Sequence, residues 1–147
     1  MTYFTEQRRK HIVDAIREAE LNTSGEIRVH VDRRCGGDVM QRALAVFKKL
    51  KMEDTCQRNG VLIYVAMQSH KTAIIGDKGV NAVVPPDLWN DIVADMVKMF
   101  AQGQFEEGIS DAVGAVGQVL KKHFPYQDDD INELPDEVSF GSDADEL

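Results

Sequence analysis

Five side chains in this sequence could do chemistry together: Glu26, Glu53, Asp54, Asn59 and Asp77, with Arg28 and Arg58 close to them along the chain. The carboxylates and the amide are hard oxygen donors, and no Cys or His cluster accompanies them. Oxygen-only donor sets suit Ca²⁺ or Mg²⁺. Arginine adds a planar fork that matches phosphate oxygens. A carboxylate-held divalent ion beside an arginine is the minimum apparatus for hydrolysing a phosphate monoester. The ion polarises the phosphoryl group and acidifies a bound water. The expected roles are Glu26, Asp54, Asn59 and Asp77 around the metal, with Arg28, Arg58 and Asp77 acting on the substrate. No His is placed as a general acid, so slow turnover is expected. A plainer reading stands beside this one. Strand ends and turns carry Asp, Asn and Gly for turn geometry alone, and Glu26 and Arg28 could form an exposed ion pair.

Residues far apart in sequence meet only if the elements bring them together. Residues 5–21 have apolar positions at helical spacing, with Thr5 as cap. Residues 26–32 alternate, with Ile27, Val29 and Val31 against Glu26, Arg28, His30 and Asp32, which predicts a half-buried strand. Cys35-Gly36-Gly37 breaks it, and Asp38 caps a helix to about Lys51. Gly60 to Met67 is apolar on both faces and reads as a central strand. A short polar turn leads to a strand at Thr72 to Ile75, which makes an antiparallel hairpin. Gly76 to Gly79 reads as a loop. Pro85-Pro86-Asp87 opens a helix that stops near Gly103, and another runs from about Phe105 to His123 before Pro125. A helical crossover makes the strands at 26–32 and 60–66 parallel. The expected fold is α/β: a three-layer α/β/α sandwich around a small mixed sheet. Parallel strands start on one sheet edge, and the hairpin strand ends there. Glu26, the 53–59 stretch and Asp77 should therefore share a rim.

Composition excludes several classes. The 147 residues carry a net charge of −8. Nine acids and no Lys or Arg fall in residues 125–147, which leaves 17 basic and 16 acidic side chains in residues 1–124. The expected organisation is one domain over 1–124 and a flexible acidic tail over 125–147. A near-neutral domain with an acidic appendage argues against nucleic-acid binding. No apolar run reaches the ~18 residues of a membrane helix, and no secretion signal opens the sequence, so a cytoplasmic location with no membrane partner is expected. Gln41 and Leu62 stand where a C-x5-R phosphatase needs arginine after Cys35 and Cys56. Asp128-x-Asp130-x-Asn132 lacks the Gly and the final Glu of an EF-hand loop. Walker, G-x-G-x-x-G and G-x-S-x-G motifs are absent.

The order and spacing of several segments resemble the TPM domain, named for thylakoid lumen phosphatase-like, photosystem II repair and acetylcholine-receptor modulator proteins. The resemblance runs from about Thr5 to His123. It rests on Gly25-Glu26-Ile27-Arg28-Val29, Asn59-Gly60-Val61-Leu62-Ile63, Ile74-Ile75-Gly76-Asp77-Lys78-Gly79 and Phe100-x-x-Gly103-x-Phe105-x-x-Gly108-Ile109. It implies an α/β/α sandwich, divalent-metal binding in the crossing loops and acid or metal-dependent phosphatase activity. By position it assigns Glu26, Asn59 and Asp77 to the metal region, with Asp54 and Arg58 beside them. The expected partners are a small phosphate ester or a phosphoprotein substrate. Two alternatives stay open: a non-catalytic Ca²⁺/Mg²⁺ module that docks a protein partner, and a metal-free scaffold that acts through its acidic tail.

Overall fold

The computed structural model describes residues 3–126 and 138–141. The chain orders as α1 (Glu6–Glu20), β1 (Glu26–Asp32), α2 (Val39–Lys49), β2 (Gly60–Ala66), β3 (Lys71–Gly76), α3 (Lys78–Asn81), α4 (Leu88–Ala101), α5 (Phe105–His123) and β4 (Val138–Phe140). Local chemistry sets the helix starts. Thr5 Oγ1 accepts the Arg8 N–H at 3.2 Å, and Asp38 Oδ1 accepts those of Met40 and Gln41 at 2.8 and 3.3 Å. The hairpin turn between β2 and β3 places His70 at positive φ, at the rim opposite Asp77.

The four strands form one mixed sheet in the order β3-β2-β1-β4. β1 runs parallel to β2 and to β4, and β3 runs antiparallel to β2. Side-chain alternation divides the interior in two. Ile27, Val29, Val31, Val61, Ile63 and Val65 meet Ile12 and Ile16 of α1, Met96 and Phe100 of α4, and Val113, Val116 and Leu120 of α5. Leu62, Tyr64, Ala66 and Ala73 meet Ala43, Val46 and Phe47 of α2, together with Met52. The protein is an α/β fold with helices on both faces of the sheet, and β2 is buried along its whole length.

The structure corrects three expectations. Within the stretch expected to be a flexible acidic tail, Val138–Phe140 forms β4, while 127–137 and 142–147 lie outside the described residues. Val138 is 2% exposed and lies in the larger core, while the Phe140 ring meets Phe4 edge-on at 5.7 Å. Second, β1 is not half-exposed: Glu26, His30 and Asp32 are buried, with Arg28 half-buried, and Asp32 meets Arg42 of α2. Third, the loop expected after Gly76 contains the short helix α3, because Asp77 Oδ1 accepts the Lys78 N–H at 2.8 Å.

Candidate functional site

Register brings the predicted segments to one rim. Glu26 pairs with Gly60 across β1 and β2, and the Asp77 N–H donates to the Gly60 carbonyl at 2.9 Å. Glu26, Gly60 and Asp77 therefore form a row across three strands on the α2 side of the sheet. Two strand spacings put Glu26 and Asp77 about 10 Å apart at Cα. Gly60 keeps the centre of the row low. A Cβ there would lie 2.8 Å from the Met52 carbonyl oxygen, which arches over it.

The 52–59 stretch closes the rim. Asn59 is 1% exposed, and its N–H donates to Thr55 Oγ1 at 3.2 Å. The Asn59 Nδ2 group donates to Ser24 Oγ at 3.4 Å, and Gln57 Nε2 reaches the same hydroxyl at 3.0 Å. The other amide atom, Asn59 Oδ1, is buried and accepts no hydrogen bond. Buried carbonyl-type oxygens are almost always satisfied, so this atom is a lone-pair donor held ready one residue before Gly60, which pairs with Glu26.

Asp77 is already engaged. Arg58 grips it side-on, with Nε donating to Oδ2 at 2.6 Å and Nη2 to Oδ1 at 3.0 Å. The pair holds the Arg58 guanidinium pKa above its ordinary value, with added charge from Glu53 and Asp54. Arg58 itself adopts φ 51°, a left-handed conformation unfavourable for a residue with a side chain. Its carbonyl accepts the Gly79 N–H at 2.9 Å, and a Cβ on Gly79 would come within 2.7 Å of that oxygen. Only a glycine at the start of α3 allows this approach. Of the remaining predicted residues, Arg28 lies one position inside the rim on the same face, and Asp54, like Glu53, is exposed. Ser24 and Thr55, which position the Asn59 amide, escaped the sequence reading; their nearness to a turn and to the rim stretch was the available signal.

The oxygens suit a hard divalent ion in type: two carboxylates, the orphaned Asn59 amide oxygen and the Met52 carbonyl. Among the described residues, no group of three or more His, Cys, Asp or Glu side chains is arranged to hold a metal. A cation at the rim would therefore depend on amide and backbone oxygens beside the acids.

The opposite end of β1 holds a second polar cluster. Asp32 is buried and accepts from Arg42 Nε at 2.8 Å, Arg42 Nη2 at 3.3 Å, Tyr64 Oη at 2.5 Å and His30 Nε2 at 3.0 Å. His30 Nδ1 lies 2.8 Å from Ser139 Oγ of β4. Burial pushes the Asp32 carboxyl upward, but the hydrogen bonds from His30, Arg42 and Tyr64 outweigh it and hold the group well below the usual range. Burial, with Asp32 beside it, pushes the Tyr64 phenol far above its ordinary value.

Comparison with known proteins settles the family. A family model of the TPM domain matches residues 1–119. The chain belongs to the TPM domain family. A solved structure, the BA42 protein of the psychrophilic bacterium Bizionia argentinensis, is 47% identical with a TM-score of 0.87, covering 95% of this chain and 96% of that one. The N-terminal domain of a P. gingivalis protein is 19% identical with a TM-score of 0.66, covering 84% and 82%. The N-terminal domain of the cg2496 protein of Corynebacterium glutamicum is 12% identical with a TM-score of 0.63, covering 80% and 74%. These last two likenesses concern the fold. No curated protein matches this sequence. Among the described residues, no helix of this TPM domain is long and apolar enough to cross a membrane.

Proposed function

We propose that this TPM domain binds a divalent cation, Ca²⁺ or Mg²⁺, at the Glu26–Asn59–Asp77 rim and hydrolyses phosphate monoesters there. The observation that carries the reading is Asn59 Oδ1, a buried acceptor without a hydrogen bond, set in the same rim as Glu26 and Asp77. When bound, the cation supplies Lewis acidity toward phosphoryl oxygens. The protein's own residues supply the rest. Glu26 and Asp77 set the negative potential of the rim. Arg58 neutralises Asp77 and fixes its orientation. Arg28, half-buried on the same face of β1 as Glu26, would orient the phosphate. Arg58, expected to orient phosphate, is committed to Asp77.

That commitment favours a second reading, a cation-responsive interaction module without turnover. The cation would order the 52–59 loop, and a protein partner would read the ordered loop. One experiment separates the two: thermal melting with Ca²⁺ or Mg²⁺ in parallel with p-nitrophenyl phosphate hydrolysis, with and without EDTA, on wild type and Glu26→Gln. A ligand at 100 times its Kd stabilises the folded state by about 2.7 kcal/mol. Metal-dependent stabilisation and turnover, both lost in the variant, support the enzyme. Stabilisation without turnover supports the module. A melting temperature unmoved by millimolar concentrations of either ion rejects both.

A further inference from the structure

The carboxyl ends of β1 and β4 border an open cavity of about 600 Å³ that the rim chemistry leaves unused. Asp32, Arg34, Gly36, Gly37, Arg42 and Gly141 line it. Six residues of strand separate it from Glu26, roughly 20 Å. Ligands of open α/β sheets characteristically sit beyond the carboxyl ends of parallel strands.

The electrostatics of this cavity are set by which charges are already satisfied. Asp32 receives four hydrogen bonds from Arg42, Tyr64 and His30. Asp38 Oδ1 is taken by two α2 N–H groups, so the helix end is capped from within and is not the binding element. Among the described residues, the two carboxylates that line the cavity thus spend their charge internally. The arginines keep donors to spare. Arg42 gives Nε and Nη2 to Asp32, which leaves its Nη1 donors over, and its side chain is 42% exposed. Arg34 gives Nε to Gln68 Oε1 at 3.1 Å, which leaves both Nη groups over. Each guanidinium is anchored on one side and has donors remaining on the other, so its planar fork can pair with two oxygens of an oxyanion with little loss of side-chain entropy. The Gly36-Gly37 backbone between them carries no side chain, and a Cβ at either position would meet nothing within 4 Å.

We propose that this cavity is an oxyanion site, distinct from the cation rim, in which Arg34 and Arg42 bind the phosphate group of a small phosphorylated molecule. The space exceeds that of a free phosphate ion and falls in the range of small-ligand pockets. His30, Tyr64 and Asp32 act as positioning residues that hold Arg42.

The test is an amide NMR titration of the whole chain in EDTA at constant ionic strength, with inorganic phosphate and with phenyl phosphate as probes. EDTA removes any cation, and the reporting amides line the cavity at the end of β1 opposite Glu26, so this result and the cation result fail independently. Saturable shifts at Gly36, Gly37 and Gly141 are expected. Tighter binding of phenyl phosphate indicates a phosphorylated organic ligand, and equal binding indicates the free ion as sufficient; both support the oxyanion chemistry. Arg42→Gln should weaken binding by about tenfold, the loss of one charge-assisted contact. Should that variant unfold, Arg34→Glu on the surface provides the same test through charge reversal. Shifts that never saturate, or that persist unchanged in both variants, overturn the proposal.

Discussion

Asp32→Asn tests whether the buried cluster at the end of β1 contributes to stability as its hydrogen bonds indicate. The replacement keeps the shape and removes the charge that Arg42, Tyr64 and His30 address. Removing one partner of a buried ion pair typically destabilises by about 3–5 kcal/mol. Arg42 is 42% exposed and can turn to water, so its share is discounted. The hydrogen bonds from Tyr64 and His30 to a charged acceptor are worth about 1.5–3 kcal/mol each before the residual acceptance by Asn. A net loss of about 2–4 kcal/mol at pH 7 follows, measured by urea unfolding. The pH dependence gives an independent check. The folded-state carboxyl lies below its unfolded value, so its contribution is complete above the unfolded pKa of about 3.9 and falls away in acid. At pH 3 the wild type has lost on the order of 1 kcal/mol of that contribution, and the gap to the variant narrows accordingly. A variant within about 0.5 kcal/mol of wild type at pH 7, with a parallel acid limb, would refute the reasoning.

Three further outcomes are expected. Truncation after Pro125 removes β4 and should cost about 2–4 kcal/mol, chiefly from burial of Val138 and Phe140; a stability unchanged in urea would show that the strand contributes nothing. Gly60→Ala forces a Cβ against the Met52 carbonyl and should destabilise by about 1–3 kcal/mol while displacing the 52–59 loop, visible as amide shifts at Asn59. Leu120→Ala empties a fully buried position on α5 in the larger core and should lower stability by about 2–5 kcal/mol, read from the denaturation midpoint at unchanged slope.

The sequence revealed those parts of the fold with strong periodicity or obligatory topology. The apolar run of β2, the Asp38 cap and the helical crossover made the parallel pairing, and thus the meeting of Glu26, Gly60 and Asp77, readable from residue order. The missed features depend on contacts that no local pattern encodes. Alternation in β1 reads the same whether its polar face meets water or a buried cluster; Arg42 and Tyr64, ten and 32 positions from Asp32, decide which. β4 offers three alternating residues amid nine acids, too short a signal to outweigh composition. Arg58 and Asp77 were read as separate instruments of catalysis, yet opposite charges at one rim satisfy each other first.

The pairing of Val29 with Val138 spans more than a hundred residues. During synthesis, the outer edge of β1 emerges long before its partner exists. At ordinary translation speeds of about 5–20 residues per second, that delay is roughly 5–20 s. Unpaired strand edges invite association with other chains. The Glu20 carboxylate, which accepts the Ile27 N–H at 2.7 Å on the first stretch of that edge, is made earlier than β1 itself and can shield part of the nascent strand until its neighbour arrives.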